Sequence, residues 1–216
     1  METLPKHRAE RILSVNRTGG SAPVVVECAA GRFLVKLRGA AQGLPPLIAE
    51  IIVAELAGAL GLPVPERALI TLDALVPSDD KNDELADLLA RSHGTNLGFR
   101  LLPGARDLRP DRLSQVEPDV AAQIVWLDAL VLNPDRTPSS PNVLVWHERP
   151  WLIDHGASLS FHYDWDALTE ASPREPGPPL EQHLLFARAL PLDAVDESAA
   201  RALPREVLRA ACARVP

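Results

Sequence analysis

The stretch Asn133-Pro134-Asp135-Arg136-Thr137-Pro138-Ser139-Ser140-Pro141-Asn142, running on into Val143-Leu144-Val145, decides how this chain is read. Slightly downstream, Leu152-Ile153-Asp154-His155-Gly156 completes the pattern. An acidic residue sits in a loop, an asparagine follows seven positions later, then an apolar strand, then a second aspartate with a glycine close behind. Immediately before the loop, Pro118 opens a strong helix through Ala121, Ile124, Val125, Leu127, Ala129, Leu130 and Leu132. Immediately after it, Val143 to Trp146 and Trp151 to Ile153 read as two short strands joined by a turn at His147 to Pro150.

Working outward toward the N-terminus, the first third of the chain reads as strands and one helix. Ile12 to Val15 and Val24 to Cys28 are short and β-branched, with Arg17-Thr18-Gly19-Gly20-Ser21 as a loop between them. Gly31 turns the chain into Phe33-Leu34-Val35-Lys36-Leu37, where Phe33, Val35 and Leu37 share one face and Leu34 and Lys36 the other. Pro45 and Pro46 open a helix whose apolar residues, Ile48, Ile51, Ile52, Leu56, Ala59 and Leu60, keep helical spacing, and Gly61 with Pro63 stops it. Leu69 to Leu72 and Leu97 to Leu102 read as strands and Asp83 to Arg91 as a helix. Arg106 to Glu117 reads as charged and irregular, and 170–180 as a proline-rich loop. Short helices bounded by Pro191 and Pro204 close the chain. The expected class is α+β in two lobes split near Gly104: a small strand-rich lobe with one key helix (1–103) and a mainly helical lobe (104–216), together one domain.

The central pattern has the order of a kinase catalytic loop and metal-binding turn, and its residue types suit phosphoryl transfer. That reaction asks the protein for charge neutralisation and alignment more than covalent chemistry. Mg²⁺ prefers hard oxygen ligands, which Asn142 and Asp154 supply. Asp135 is the carboxylate placed to orient an attacking hydroxyl and accept its proton, and Gly156 lets the backbone turn after the metal ligand. The same scheme wants a strand lysine and a glutamate on the following helix, and Lys36 and Glu50 stand a strand-loop-helix step apart. Lys36 would grip the α- and β-phosphates while Glu50 holds its ammonium. Glu50 is the only charge in Leu47-Ile48-Ala49-Glu50-Ile51-Ile52-Val53-Ala54, an expensive place for a carboxylate without a partner.

Each residue also has a plainer reading. Asp135 beside Pro134 is an ordinary turn residue when taken alone, Asn142 a strand-start cap, Asp154 a strand-end carboxylate and Lys36 an edge-strand lysine. Arg136 reads as a partner of a phosphate or of Asp154, with a structural ion pair the favoured reading. Asp128, among Trp126, Leu127, Ala129 and Leu130, is a candidate brace behind the loop. His162, Asp164 and Asp166 fit no common metal spacing and read as a loop packed by aromatics. It is the joint order of the five polar positions that favours the functional reading.

The stretch from Ala49-Glu50 through Gly61-Leu62-Pro63-Val64-Pro65-Glu66, the Asn-x-Asp-Arg stretch with its later Asn142, and the Leu-Ile-Asp-His-Gly end together resemble the HipA-like kinases and, distantly, the phosphatidylinositol kinases, over about residues 12 to 165. The resemblance implies a bilobal protein-kinase-like fold, ATP with Mg²⁺ as cofactors, and phosphorylation of a hydroxyl, often a Ser or Thr of a protein substrate. On it, Lys36 and Glu50 form the lobe-bridging ion pair, Asp135 is the catalytic carboxylate, and Asn142 and Asp154 hold metal. Leu101 to Gly104, with Leu102 at its centre, falls where kinases join their lobes and read adenine through backbone groups. No G-x-G-x-x-G pattern occurs; Thr18-Gly19-Gly20-Ser21 is its only candidate as a phosphate cradle, and an ordinary hairpin turn is the other reading. The chain is shorter than a full HipA-like protein, and that group's extra N-terminal subdomain is expected to be missing. A nucleotide-binding pseudokinase and a small-molecule kinase are the competing functions.

Bulk properties narrow the rest. Acidic residues outnumber basic ones 29 to 22, for a net charge of −7, so a nucleic-acid partner is not expected. Lys6, His7, Arg8, Arg11 and Arg17 form a local basic stretch that reads as solvated tail charge. Cys28 and Cys212 are too few and too far apart for a disulfide framework or zinc site. The first eleven residues hold no signal-peptide stretch, and Glu50 and Glu55 break the longest apolar run, so no membrane partner and a cytoplasmic location are expected.

Overall fold

The computed structural model describes residues 3–15, 22–40 and 42–216. Its regular elements, in order, are β1 (Lys6–Arg8), β2 (Arg11–Val15), β3 (Val24–Cys28), β4 (Gly31–Lys36), α1 (Pro45–Ala59), β5 (Arg67–Leu72), α2 (Asp83–Arg91), β6 (Gly94–Arg100), β7 (Arg106–Asp107), α3 (Pro118–Leu130), β8 (Val143–Trp146), β9 (Arg149–Leu152), α4 (Asp193–Ala202) and α5 (Arg205–Cys212). The chain divides into two compact units, one made of the chain up to Leu47 together with Pro65–Pro103, the other of Ile48–Val64 together with Gly104–Pro216. The fold is α+β, with strands dominating the first unit and helices the second. Residues 48–64, assigned to the first lobe on sequence order, cluster with the second unit.

The first unit is a six-stranded sheet in the order β1-β5-β6-β4-β3-β2, antiparallel except for the β1–β5 pair. Alternation builds its core: Val24, Val26 and Cys28 of β3 and Phe33 and Val35 of β4 are buried with Ile12, Ile70, Leu72 and Leu85. Helix α2 begins at Asn82, whose side chain accepts from the Glu84 and Leu85 amides. Beyond it, the buried Asn96 carboxamide accepts from the Arg38 amide and donates to the Ser92 and Gly94 carbonyls. Gly39 passes so close to this turn that an added Cβ would lie 2.7 Å from Ser92 Oγ and 2.8 Å from the Arg91 backbone.

Two stretches differ from their sequence reading. Lys6 to Arg8 is a strand, not solvated tail: the Leu69 amide donates to the Pro5 carbonyl and the Ala9 amide to Thr71. The charge itself stays solvated at the surface, with Arg8 paired to Asp73 and, on β2, Arg11 paired to Asp79. Arg106–Asp107, expected to be irregular, pairs with β8. The Thr18-Gly19-Gly20-Ser21 loop lies outside the described residues.

In the second unit, α1 ends in a Schellman motif: Leu62 N–H donates to the Ala57 carbonyl and Gly61 N–H to Gly58, with Gly61 at φ +76°. Val53, Leu56 and Ala57 of α1 pack with Ile124, Val125 and Leu127 of α3, Val143 and Leu152 of the hairpin, and Leu184, Leu185 and Leu203 from the C-terminal part. Strands β8 and β9 are joined by His147 and Glu148, at φ +48° and +59°, as a two-residue type I′ turn requires. Among the described residues no helix is long and apolar enough to cross a membrane.

Candidate active site

The site grows from the end of α3. Asp128 lies on the buried side of that helix, 1% exposed among core residues, where a lone carboxylate would be strongly disfavoured. It is instead surrounded by donors. Oδ2 accepts from Arg136 Nε at 2.5 Å and His183 Nε2 at 2.9 Å, and Oδ1 accepts from Asn133 Nδ2 at 2.9 Å and Arg136 Nη2 at 3.3 Å. Burial opposes ionisation, but the Arg136 guanidinium and the hydrogen bonds from His183 and Arg136 outweigh it and hold the Asp128 carboxyl well below the usual carboxylate range. Arg136 therefore forms a structural ion pair, and its partner is Asp128 where the sequence pointed to Asp154.

The loop that follows is laid on this pair. Leu132, at φ +55°, turns the chain out of α3. Asn133 Oδ1 accepts from the Asp135 amide at 3.1 Å, so the asparagine that Asp128 fixes also fixes the backbone of Asp135. Asn142 Nδ2 donates to Asp135 Oδ2 at 3.0 Å and to the Asp135 carbonyl at 3.1 Å. From the other side, Arg136 Nη1 donates to the Asn142 carbonyl. Asp135 and Asn142 are thus brought into direct contact across the seven-residue loop.

The hairpin carries the second aspartate to the same end. Val143 pairs with Leu152, and the Ile153 amide donates to the Asn142 carbonyl at 3.2 Å, so Asp154 emerges one residue beyond the rung that Asn142 closes. Asp154 is exposed and at φ +55°, and Asn142 is at φ +47°. These are left-handed conformations that Asn and Asp tolerate better than other non-glycine residues. Leu159, a few residues on, shares the conformation at φ +56° and at greater steric cost. The donor set, one carboxylate and one amide oxygen near a further carboxylate, suits Mg²⁺, which takes few protein ligands and keeps water and phosphate oxygens for the rest. No group of three or more His, Cys, Asp or Glu placed to hold a metal occurs among the described residues.

Glu50 reaches the same turn from α1. It is fully buried, and its Oε2 accepts from the His155 amide at 3.0 Å, next to Asp154 in sequence. The His155 ring is buried, with Nδ1 3.4 Å from Arg136 Nη2. Glu50, the Asp154-His155 turn, the loop and Asp128 are therefore linked through consecutive polar contacts. The remaining predicted residues belong to the first unit or lie outside the description. Lys36 is at the end of β4, 9% exposed, with Nζ 5.9 Å from the Phe99 ring centroid. Leu102 is half-buried in the segment after β6, and Gly19, Gly20 and Ser21 are outside the described residues. In the loop of His162, Asp164 and Asp166, Phe161 packs edge-on against Trp165 and Asp164 Oδ1 caps the Ala167 amide.

Sequence reasoning missed His183 and gave Asn133 no role of its own. Asp128 carried a legible signal, a lone charge inside an apolar helix. His183 carried none, since it lies 55 residues from its partner in a segment without periodicity.

A search of curated proteins finds no match. Among solved structures, the Helicobacter pylori proinflammatory kinase CtkA is similar, at 13% identity and a TM-score of 0.43, over 68% of this chain and 57% of that one. The chain thus spans little more than half the length of that kinase. The sequence profile of the HipA-like kinases matches residues 9–172, well over half of the 216 residues, and the chain belongs to the HipA-like kinase family.

Proposed function

We propose that this HipA-like kinase moves the γ-phosphoryl group of ATP, with Mg²⁺, to a Ser or Thr hydroxyl of a protein in the cytoplasm. The observation that carries the reading is the contact of Asp135 with Asn142, at the hairpin end from which Asp154 emerges. Asn142 Nδ2 orients the Asp135 carboxylate through Oδ2 and leaves Oδ1 for the incoming hydroxyl. The hydroxyl oxygen forms a bond to the γ-phosphorus as the β–γ bridging P–O bond breaks; ADP leaves, and the hydroxyl proton passes to Asp135. Asn142 Oδ1 and the Asp154 carboxylate are the ligands offered to Mg²⁺, which supplies neutralisation of phosphate charge when bound. Lys36 is assigned to the α- and β-phosphates with Glu50 as its counter-charge, Gly19, Gly20 and Ser21 to the phosphate cradle, and the backbone about Leu102 to adenine.

The test is autophosphorylation and ADP release by the full chain, with and without Mg²⁺. Asp135→Ala is expected to lower transfer by about 10²–10⁴-fold, the usual share of a positioned acid–base group, while nucleotide binding persists. Asp154→Ala is expected to weaken Mg²⁺-dependent nucleotide binding. Wild-type activity in both variants removes this mechanism. The absent G-x-G-x-x-G pattern favours a second reading, a nucleotide-binding regulatory module, whose signature is an ATP-induced thermal shift without transfer to any acceptor.

A further inference from the structure

We infer that His183 is a positioning residue for the phosphotransfer loop, acting on Asp135 through Asp128; the inference rests on the reading of Asp135 given above. His183 arrives after the proline-rich stretch that ends at Pro178-Pro179. Gly177 lies against the start of the loop, where an added Cβ would come 3.3 Å from Leu132 Cδ2. The following residues then latch the loop twice. The Leu184 amide donates to the Arg136 carbonyl at 2.8 Å, and His183 Nε2 meets Asp128 Oδ2 at 2.9 Å. Leu184 and Leu185 are buried in the core of the second unit, so the latch is anchored.

The protonation of the ring follows from its partners. The Leu185 amide can only donate, and it does so to His183 Nδ1 at 3.0 Å, so Nδ1 carries the lone pair. The proton therefore sits on Nε2 and is donated to Asp128. Asp128 in turn accepts from Asn133 and Arg136, the residues on either side of the Pro134-Asp135 pair. Asn133 then binds the Asp135 amide, and Arg136 binds the carbonyl of Asn142, which orients the Asp135 carboxylate. Both of these routes from His183 end on the backbone or side chain of Asp135. His183 contacts no reacting atom in this scheme; it completes the shell that keeps the Asp135 carboxylate in line.

Two substitutions separate the ring's two bonds. His183→Asn keeps an acceptor where Nδ1 stands and loses the Nε2 donor; His183→Gln keeps a donor near Nε2 and loses the acceptor. The full chain is assayed for phosphoryl transfer, and amide hydrogen exchange is followed over 133–142 and over the first-unit sheet. Expected for His183→Asn is a kcat lower by about 10- to 100-fold, the range seen when a supporting group is removed. The KM for ATP stays near wild type, and exchange over 133–142 speeds up while the sheet is unaffected. His183→Gln recovers most of the kcat and the protection. Wild-type kcat and exchange in His183→Asn overturn the inference, as does equal impairment of the two variants, which would mark a packing role alone. A wild-type chain that transfers no phosphate defeats the proposed reaction, and the exchange comparison then still decides whether His183 orders the loop.

Discussion

Replacing Asp128 with asparagine removes one negative charge and almost no volume, so the cost of the change isolates the charge. The Asp128 and Arg136 side chains are 1% and 0% exposed, and the guanidinium has two of its contacts on this carboxylate. Without it, a buried cation keeps only uncharged neighbours, the substituted amide, the Asn142 carbonyl and the His155 ring nitrogen. Breaking one side of such a pair costs about 3–5 kcal/mol, because a charge stays buried without compensation. For a chain of 216 residues that corresponds to a fall in melting temperature of roughly 6–20 °C. Trp126, Trp146, Trp151 and Trp165, the chain's four tryptophans, all lie in the second unit, so their fluorescence during urea or thermal unfolding reports on the unit that holds the pair. Replacing both partners, as Asp128→Leu with Arg136→Met, removes the stranded charge and is expected to cost less than the sum of the two single substitutions. The double variant stays below wild type because Asn133 and His183 lose an acceptor, at about 1–3 kcal/mol for each buried group left unmet. A loss below about 1 kcal/mol in Asp128→Asn, within the range of exposed pairs, refutes the account of this pair as the loop's foundation.

Three further outcomes follow from the same geometry. Because the Asp128 carboxyl is held far below its usual range, its contribution is complete above the unfolded value of about 3.9 and is lost as the pH falls beneath it. Tryptophan-monitored stability should therefore fall steadily as the pH is lowered from about 4 toward 2, and fall less in the Asp128→Leu/Arg136→Met variant; equal losses would assign the acid limb to other groups. Glu50→Ala strands the buried His155 amide and should destabilise the second unit by about 1–3 kcal/mol in urea titration, whereas Glu50→Gln keeps an acceptor and should lose less. Gly39→Ala forces a Cβ onto the Arg91 backbone, which cannot rotate away, and should cost about 1–3 kcal/mol, read as faster amide exchange across β4 and β6.

Much of this architecture is legible in the sequence because local chemistry dictates it. Alternation in Val24–Cys28 and Gly31–Lys36, the Pro45-Pro46 start and Gly61 stop of α1, and Pro118 at the head of α3 each fix an element without outside help. Strand β1 was hidden because Lys-His-Arg has no strand pattern of its own; its hydrogen bonds come from β5, some sixty residues away. The site divides in the same way. Asp135, Asn142 and Asp154 are readable because their spacing follows from one loop and one hairpin. His183 is not, because its position depends on how a proline-rich segment without periodicity returns to α3. The bond from Glu50 to the His155 amide was equally out of reach, since backbone groups leave no mark in a sequence.

Residues 48–64 interrupt the first unit in the chain but supply part of the core of the second. During synthesis the ribosome therefore releases α1, with Val53, Leu56 and Ala57 on its apolar side, well before the helix and hairpin that cover them exist. The first sheet can close once Arg100 has emerged, yet this greasy excursion must wait for the rest of the polypeptide. Nascent chains stopped near Gly104 should depend on chaperones and precipitate when expressed alone, and fragments cut at that point are poor stand-ins for an isolated lobe.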